Sequence, residues 1–173
     1  MTFCLGAANF GSKYGISNTK KISKLNSSKL INYFLKKEQN YIDTAEAYKG
    51  SNLHILQHLK KISLREKKNI NIITKVKYKF KKKNNYLVSR AKFNLSYFKI
   101  KKLYGYLLHD LNFDKNKTNL KMINEQFKII KKKNIQKKQV FQFIHSKIFI
   151  FFKKIYLKLT WFSVQQIYLI YVF

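Results

Sequence analysis

The sequence predicts an α/β chain built on a parallel sheet with helical crossovers. Three observations predict it. Short apolar runs alternate four times with longer segments of helical spacing, up to about residue 128, as expected where helices join parallel strands. Ile72, Ile73 and Val76 concentrate β-branched residues in one run bounded by Asn and Lys. Asp43, Lys75 and His109 each fall at or just after the end of an apolar run. Parallel strands deliver such residues to one rim.

Each element has its own signal. Phe3 to Gly6 is a short apolar strand stopped by Gly. Ser27 or Ser28 is the expected cap of a helix that buries Leu30, Ile31, Phe34 and Leu35. Tyr41 to Ala45 reads as the second strand, followed by a helix with Leu53, Ile55, Leu56 and Leu59. Ile70 to Val76 is the third strand, and Tyr86 to Phe98 a helix with Leu87, Ala91, Leu95 and Phe98 inward. Leu103 to Leu108 is the fourth strand, and Leu120 to Ile130 the fourth helix.

The 173 residues suffice for one domain. Hydrophobic residues are 46% and aromatics 16%, which excludes a disordered, solvating chain. A lone Cys4 excludes a disulfide framework and a cysteine zinc site. The start lacks the basic and apolar regions of a signal peptide, and lysines interrupt the apolar C-terminus, so no spanning helix is expected and the location is read as cytoplasmic.

Lys and Arg number 37 against 7 Asp and Glu, a formal charge of +30. That balance points toward nucleic acid or an acidic membrane surface. A compositional explanation competes with it. Lys, Asn, Ile, Phe and Tyr fill more than half the chain, Pro is absent and Gly number 5, as A/T-rich coding would produce. The charge is therefore read as allowing nonspecific anionic partners through a basic surface, with no specific nucleic acid. Lys79 to Lys83 is expected to be a solvated loop, and His54 and His58 a surface pair with no third metal ligand in sight.

The chemistry lies at the strand ends. Asp43 sits in Tyr41-Ile42-Asp43-Thr44-Ala45 with Tyr48 five residues on, Lys75 in Ile72-Ile73-Thr74-Lys75-Val76, and His109 after Tyr106-Leu107-Leu108. An unperturbed Tyr is a weak acid, with a pKa of about 10. A Lys ammonium beside Tyr48 would lower that value, with Asp43 holding the Lys. His109 could orient a carbonyl oxygen by hydrogen bonding. Together they could protonate a carbonyl as hydride arrives. Taken singly, each residue has a structural reading: Asp43 as a cap, Lys75 as a solvated lysine, His109 as a satisfied core histidine and Tyr48 as packing.

The combination resembles the aldo/keto reductase family. Leu5-Gly6-Ala7-Ala8-Asn9-Phe10-Gly11, Tyr14-Gly15-Ile16 and Ile42-Asp43-Thr44-Ala45-Glu46-Ala47-Tyr48 are similar to its opening. Ile73-Thr74-Lys75-Val76 and Leu107-Leu108-His109-Asp110 resemble its next two signatures, in order. The resemblance covers about residues 1–130. It implies a partial (β/α)8 TIM barrel of about four strand-helix units, with a non-homologous tail over 131–173. It also implies NADP or NAD as cofactor, held mostly by loops of the half not seen, and a small-molecule carbonyl substrate. Tyr48 would be the proton donor, Lys75 and Asp43 its tuners, and His109 the carbonyl-orienting group. One departure stands out: the family's Gly-x-Ser-Glu after the Tyr is here Lys49-Gly50-Ser51-Asn52, so the Glu bracing the second loop is replaced.

From Gln139 to Phe173, 11 of 35 residues are aromatic and the strand-helix alternation stops. Read in a shifted frame that starts from the last base of the Gln139 codon, Val140 to Ser146 permits Gly-Val-Ser-Ile-Tyr-Ser, which resembles the family's fifth-strand signature. The same shift over Leu159 to Ile170 permits a phrase like its sixth-strand segment. Lys131-Lys132-Lys133 and Lys137-Lys138 supply adenine runs where a slip is easy. Residues from about 131–138 onward are therefore expected to be out of frame. The fragment is expected to have little or no activity. The alternative is a basic membrane-surface or nucleic-acid-binding module that uses the tail.

Overall fold

The computed structural model describes residues 3–14, 20–78, 85–109 and 117–138. Lys79 to Lys83, Gly15, Ile16, Asp110 and the segment from Gln139 onward lie outside the described residues.

Five parallel strands form one sheet in chain order: β1 (Cys4–Gly6), β2 (Tyr41–Asp43), β3 (Asn71–Val76), β4 (Leu103–Leu108) and β5 (Gln136–Lys138). Helix α1 (Lys24–Lys36) joins β1 to β2, and α2 (Lys49–Leu59) with the short α3 (Leu64–Asn69) joins β2 to β3. Helices α4 (Tyr86–Phe98) and α5 (Lys117–Lys132) make the next two crossovers. This is an α/β pattern like the start of a (β/α)8 barrel.

The main core lies between sheet and helices. Ile31, Ile55, Leu59, Leu87, Ala91, Phe98, Phe127 and Ile130 from the helices pack with Ile42, Ile72, Leu103, Tyr106 and Leu108 from the strands. On the opposite face a smaller cluster joins Ile73, Tyr104 and Leu107 to Cys4 and Tyr41. All residues of β3 and β4 are buried, as expected for strands covered on both faces.

Several boundaries differ from the sequence reading. α1 starts earlier: Ser23 is its cap, its hydroxyl accepting from the Asn26 N–H at 3.2 Å. Ser27 and Ser28 therefore lie inside the helix. Leu53 is 46% exposed, and α2 instead buries Ile55, His58 and Leu59, a spacing of three and four that makes one helical face. α3 carries no apolar stripe and is set by a capping box between Ser63 and Glu66. Beyond residue 130, α5 runs on to Lys132, and Ile135 and Gln136 are buried where β5 joins β4. The alternation thus extends past the fourth helix.

His54 and His58 are not a surface pair. His58 is 3% exposed, and each ring meets a serine of α1: Ser27 Oγ to His54 Nδ1 and Ser28 Oγ to His58 Nδ1, both 2.9 Å. Ser27 Oγ also donates to the Ser23 carbonyl at 2.8 Å, which leaves it to accept from a protonated His54 Nδ1. No group of three potential metal ligands occurs among the described residues. No described helix is long and apolar enough to cross a membrane.

Candidate active site

Side chains alternate between the two faces of a strand with a period of two. Asp43, Lys75 and His109 each lie two residues beyond Tyr41, Ile73 and Leu107, the residues of the smaller cluster. They therefore extend that face to the C-terminal end of the sheet. The strand ends are fixed by backbone bonds: the N–H of Thr44 donates to the Ile73 carbonyl, that of Glu46 to Lys75, and that of His109 to Val76, each at 2.9 Å.

The centre is an ion pair. Lys75 Nζ lies 2.6 Å from Asp43 Oδ1 and within hydrogen-bond reach of Oδ2, and it reaches the Thr44 carbonyl at 3.5 Å. Lys75 is buried, at 3% exposure. Burial pushes the Asp43 carboxyl above its usual range, against the opposing pull of the Lys75 ammonium. The Cys4 thiol beside them is pushed up to about 12, mainly by burial and then by the Asp43 charge. It stays a thiol at neutral pH and is not a nucleophile.

Tyr48 ends the turn after β2, immediately before α2. Its ring centroid is 5.6 Å from Lys75 Nζ and 5.7 Å from the His109 ring, which it meets edge-on at 81°. Tyr14 packs against its other side, 4.9 Å between centroids, and the Tyr48 hydroxyl approaches the Tyr14 hydroxyl at 3.4 Å. The structure thus brings together all four site residues read from the sequence. In the sequence Tyr14 stands out only as part of the Tyr14-Gly15-Ile16 motif.

One electrostatic expectation is corrected. Lys75 was expected to lower the Tyr48 pKa. Instead burial raises it well above the ordinary phenol value, and the Tyr14 hydroxyl and the Asp43 charge act in the same direction. The Lys75 ammonium is engaged by Asp43, so Tyr48 holds its proton throughout the neutral range.

The substitution at Asn52 does not leave the second loop unbraced. Thr44 Oγ1 lies 2.7 Å from Asn52 Oδ1 and 2.9 Å from Ser51 Oγ, and Asn52 Nδ2 donates to the Ala45 carbonyl at 3.3 Å. Gly50 lies against Gly11: a Cβ at Gly50 would come 2.7 Å from the Gly11 backbone. A larger residue at either position would separate the Tyr14 loop from the Tyr48 turn.

Sequence reasoning missed Glu46, Arg90 and Asn94. Glu46 Oε2 accepts from Arg90 Nε at 3.0 Å and lies 2.9 Å from a terminal guanidinium nitrogen, and Oε1 accepts from Asn94 Nδ2 at 2.7 Å. Only their positions at i and i+4 on α4 could have suggested a shared partner.

An ion pair, a protonated phenol and an imidazole at the C-terminal ends of parallel strands define a rim site of the barrel type, equipped to move a proton. The aldo/keto reductase family profile matches residues 2–136, and the chain belongs to that family. Solved structures agree in fold. An aldo-keto reductase from Bacillus halodurans in its holo form superposes with a TM-score of 0.61 at 18% identity, covering 82% of this chain and 46% of that one. One from Klebsiella pneumoniae, in complex with NADPH, gives 0.58 at 16% identity, covering 81% and 44%. The chain thus spans about half the length of these structures. No curated protein matches it.

Proposed function

We propose that the chain carries the proton-delivery half of an NAD(P)H-dependent carbonyl reductase site. The observation that carries this reading is the buried Asp43–Lys75 ion pair beside the protonated Tyr48 and the edge of His109. A reduced nicotinamide, when bound, would supply the hydride. Tyr48 gives its phenolic proton to the carbonyl oxygen of a small aldehyde, ketone or sugar, and His109 orients that oxygen. The Lys75 ammonium, 5.6 Å from the Tyr48 ring centroid, does not lower the resting phenol's pKa while Asp43 engages it, but it is the near cation on which the developing phenolate would draw.

The described residues fit the carbonyl end of this reaction. Lys75 is engaged by Asp43 and Arg90 by Glu46, so neither is available for a cofactor phosphate. The cofactor would be held mostly by the second half of a barrel. The chain alone is expected to turn over little or nothing, in the cytoplasm or in a test tube.

The reading includes a change of frame. The family match reaches residue 136, and β5 pairs in register with β4 at Leu103–Gln136 and Gly105–Lys138. These observations favour a slip in the Lys137-Lys138 run over one at Lys131 to Lys133. Residues 1 to about 138 then form the reductase portion, and the remainder the out-of-frame tail.

The test is NADPH-dependent reduction of an aromatic aldehyde by a chain whose frame continues through Gly-Val-Ser-Ile-Tyr-Ser. Turnover that Tyr48→Phe reduces by about 10²-fold or more supports the reading. Turnover indifferent to Tyr48→Phe overturns it.

A second reading rests on a different observation. Lys99, Lys101 and Lys102, and Lys131, Lys132 and Lys133, are exposed at the N-terminal ends of β4 and β5, opposite the site. That face would take nonspecific polyanions. Salt-sensitive DNA or lipid binding, weakened when these lysines are replaced by Glu, would favour a basic binding module over the reductase.

A further inference from the structure

Glu46 is one of 7 acidic residues in a chain with 37 basic ones, and its two side-chain oxygens are both used. Asn94, 1% exposed, donates to one, and Arg90 donates to the other. The two donors are themselves held: Asn94 also donates to the Arg90 carbonyl at 2.8 Å, and the Arg90 guanidinium lies 4.2 Å from the Phe93 ring centroid. The Glu46 backbone N–H is meanwhile tied to the Lys75 carbonyl on β3. One residue therefore fastens the end of β2 to both β3 and α4.

Tyr48 follows two residues later. Its N–H closes a tight turn onto the Ala45 carbonyl at 3.0 Å. So little chain separates the fastened Glu46 from the Tyr48 backbone, at most ~7 Å when fully extended, that the turn has little slack. A buried Asn in a helix is otherwise unfavourable, and Glu46 supplies its reason.

We propose that Glu46, clamped by Arg90 and Asn94, is a positioning residue that holds the Tyr48 phenol in its buried place beside Lys75 and His109. This rests on Tyr48 being the proton donor, but its test does not need turnover. The groups that act most on the Tyr48 hydroxyl are Tyr14 and Asp43, while both Glu46 carboxylate oxygens are turned to Arg90 and Asn94. Removing the Glu46 charge therefore leaves the phenol's ionisation unchanged unless the turn moves.

The experiment is a pH titration by NMR of the full chain labelled with ¹³Cζ-tyrosine, the Tyr48 resonance being assigned by its loss in Tyr48→Phe. In the native chain burial keeps the Tyr48 resonance from titrating through the ordinary phenol range. In Glu46→Ala it titrates within that range, because the freed turn exposes the ring to water, and Glu46→Asp restores part of the native behaviour. Arg90→Ala, on a half-exposed residue, gives a shift of the same sign and serves where Glu46→Ala does not fold. Native titration in folded Glu46→Ala, or in Arg90→Ala when only that variant folds, overturns the proposal. Failure of the reductase reading would appear elsewhere, as reduction indifferent to Tyr48→Phe.

Discussion

Lys75 Nζ lies 2.6 Å from Asp43 Oδ1, with 4% of the lysine side chain and 15% of the aspartate side chain exposed. Burying two charges is expensive even when they are paired. The direction of the Asp43 shift agrees: its folded pKa is raised, mainly by burial. The stability it contributes is therefore present below the unfolded carboxyl value, about 3.9, and lost as the pH rises through the folded value. At neutral pH this buried carboxylate is held at some expense to the fold.

Removing one partner should be worse than removing both. Asp43→Asn leaves the Lys75 ammonium buried without its counter-charge and should destabilise by about 3–5 kcal/mol. The double variant Asp43→Asn, Lys75→Met should recover most of that loss. Urea unfolding of the wild type, both single variants and the double variant measures the coupling directly. A double variant no more stable than Asp43→Asn would show that the pair is not coupled.

The two histidines between α1 and α2 predict an acid-sensitive fold. Burial lowers the pKa of both, with Lys21 and Lys24 adding to the effect at His54. At His58 the Glu66 charge opposes burial and the Lys61 charge adds to it. The folded state thus binds fewer protons than the unfolded one. The stability is present above about pH 6.5, the unfolded value, and lost as the pH falls through the folded values. The urea midpoint should drop between pH 7.5 and 5. His58→Leu should flatten that slope.

Two glycines of similar appearance in the sequence should behave differently. A Cβ at Gly50 would press on the Gly11 backbone at 2.7 Å, whereas a Cβ at Gly6 would have nothing within 4 Å among the described residues. Gly50→Ala should cost about 1–3 kcal/mol by overpacking. Gly6→Ala should be neutral within about 0.5 kcal/mol. Thermal unfolding of the two variants side by side separates the cases.

Glycine is scarce where backbone geometry would favour it. Glu38, Lys99 and Asn134 have positive φ values of 58°, 54° and 54°, each just beyond a helix, where Gly is the usual residue. A lysine there carries a left-handed conformation at a cost of about 1–2 kcal/mol. Lys99→Gly should therefore raise stability by about 1 kcal/mol, read as a higher urea midpoint with an unchanged slope. A lower midpoint would contradict the strain.

How much was legible in the sequence follows from the reach of each signal. α4 and β4 were placed correctly because a helical stripe and an unbroken apolar run mark them locally. The start of α1 is poorly marked because its first turn is polar and three serines compete as its cap. Hydrophobicity alone puts Leu53 inside, but the face of α2 is fixed by packing on α1, which also takes His58 inward. β5 has no apolar period, and only its pairing with β4 identifies it. Asp43, Lys75 and His109 were legible because period-two alternation places them on one face. The bonds of Glu46 to Arg90 and Asn94 span 44 and 48 residues, and no local pattern reports them.

The central claim is that a reductase frame runs intact through Asp43, Tyr48, Lys75 and His109 and is left only at Lys137-Lys138. Sequencing the coding nucleotides across the lysine runs and onward tests it most directly. The account predicts that the nucleotides, read in the shifted frame from the last base of the Gln139 codon, spell Gly-Val-Ser-Ile-Tyr-Ser and continue as further strand-helix units. Codons incompatible with that phrase would contradict it and leave the tail as genuine sequence.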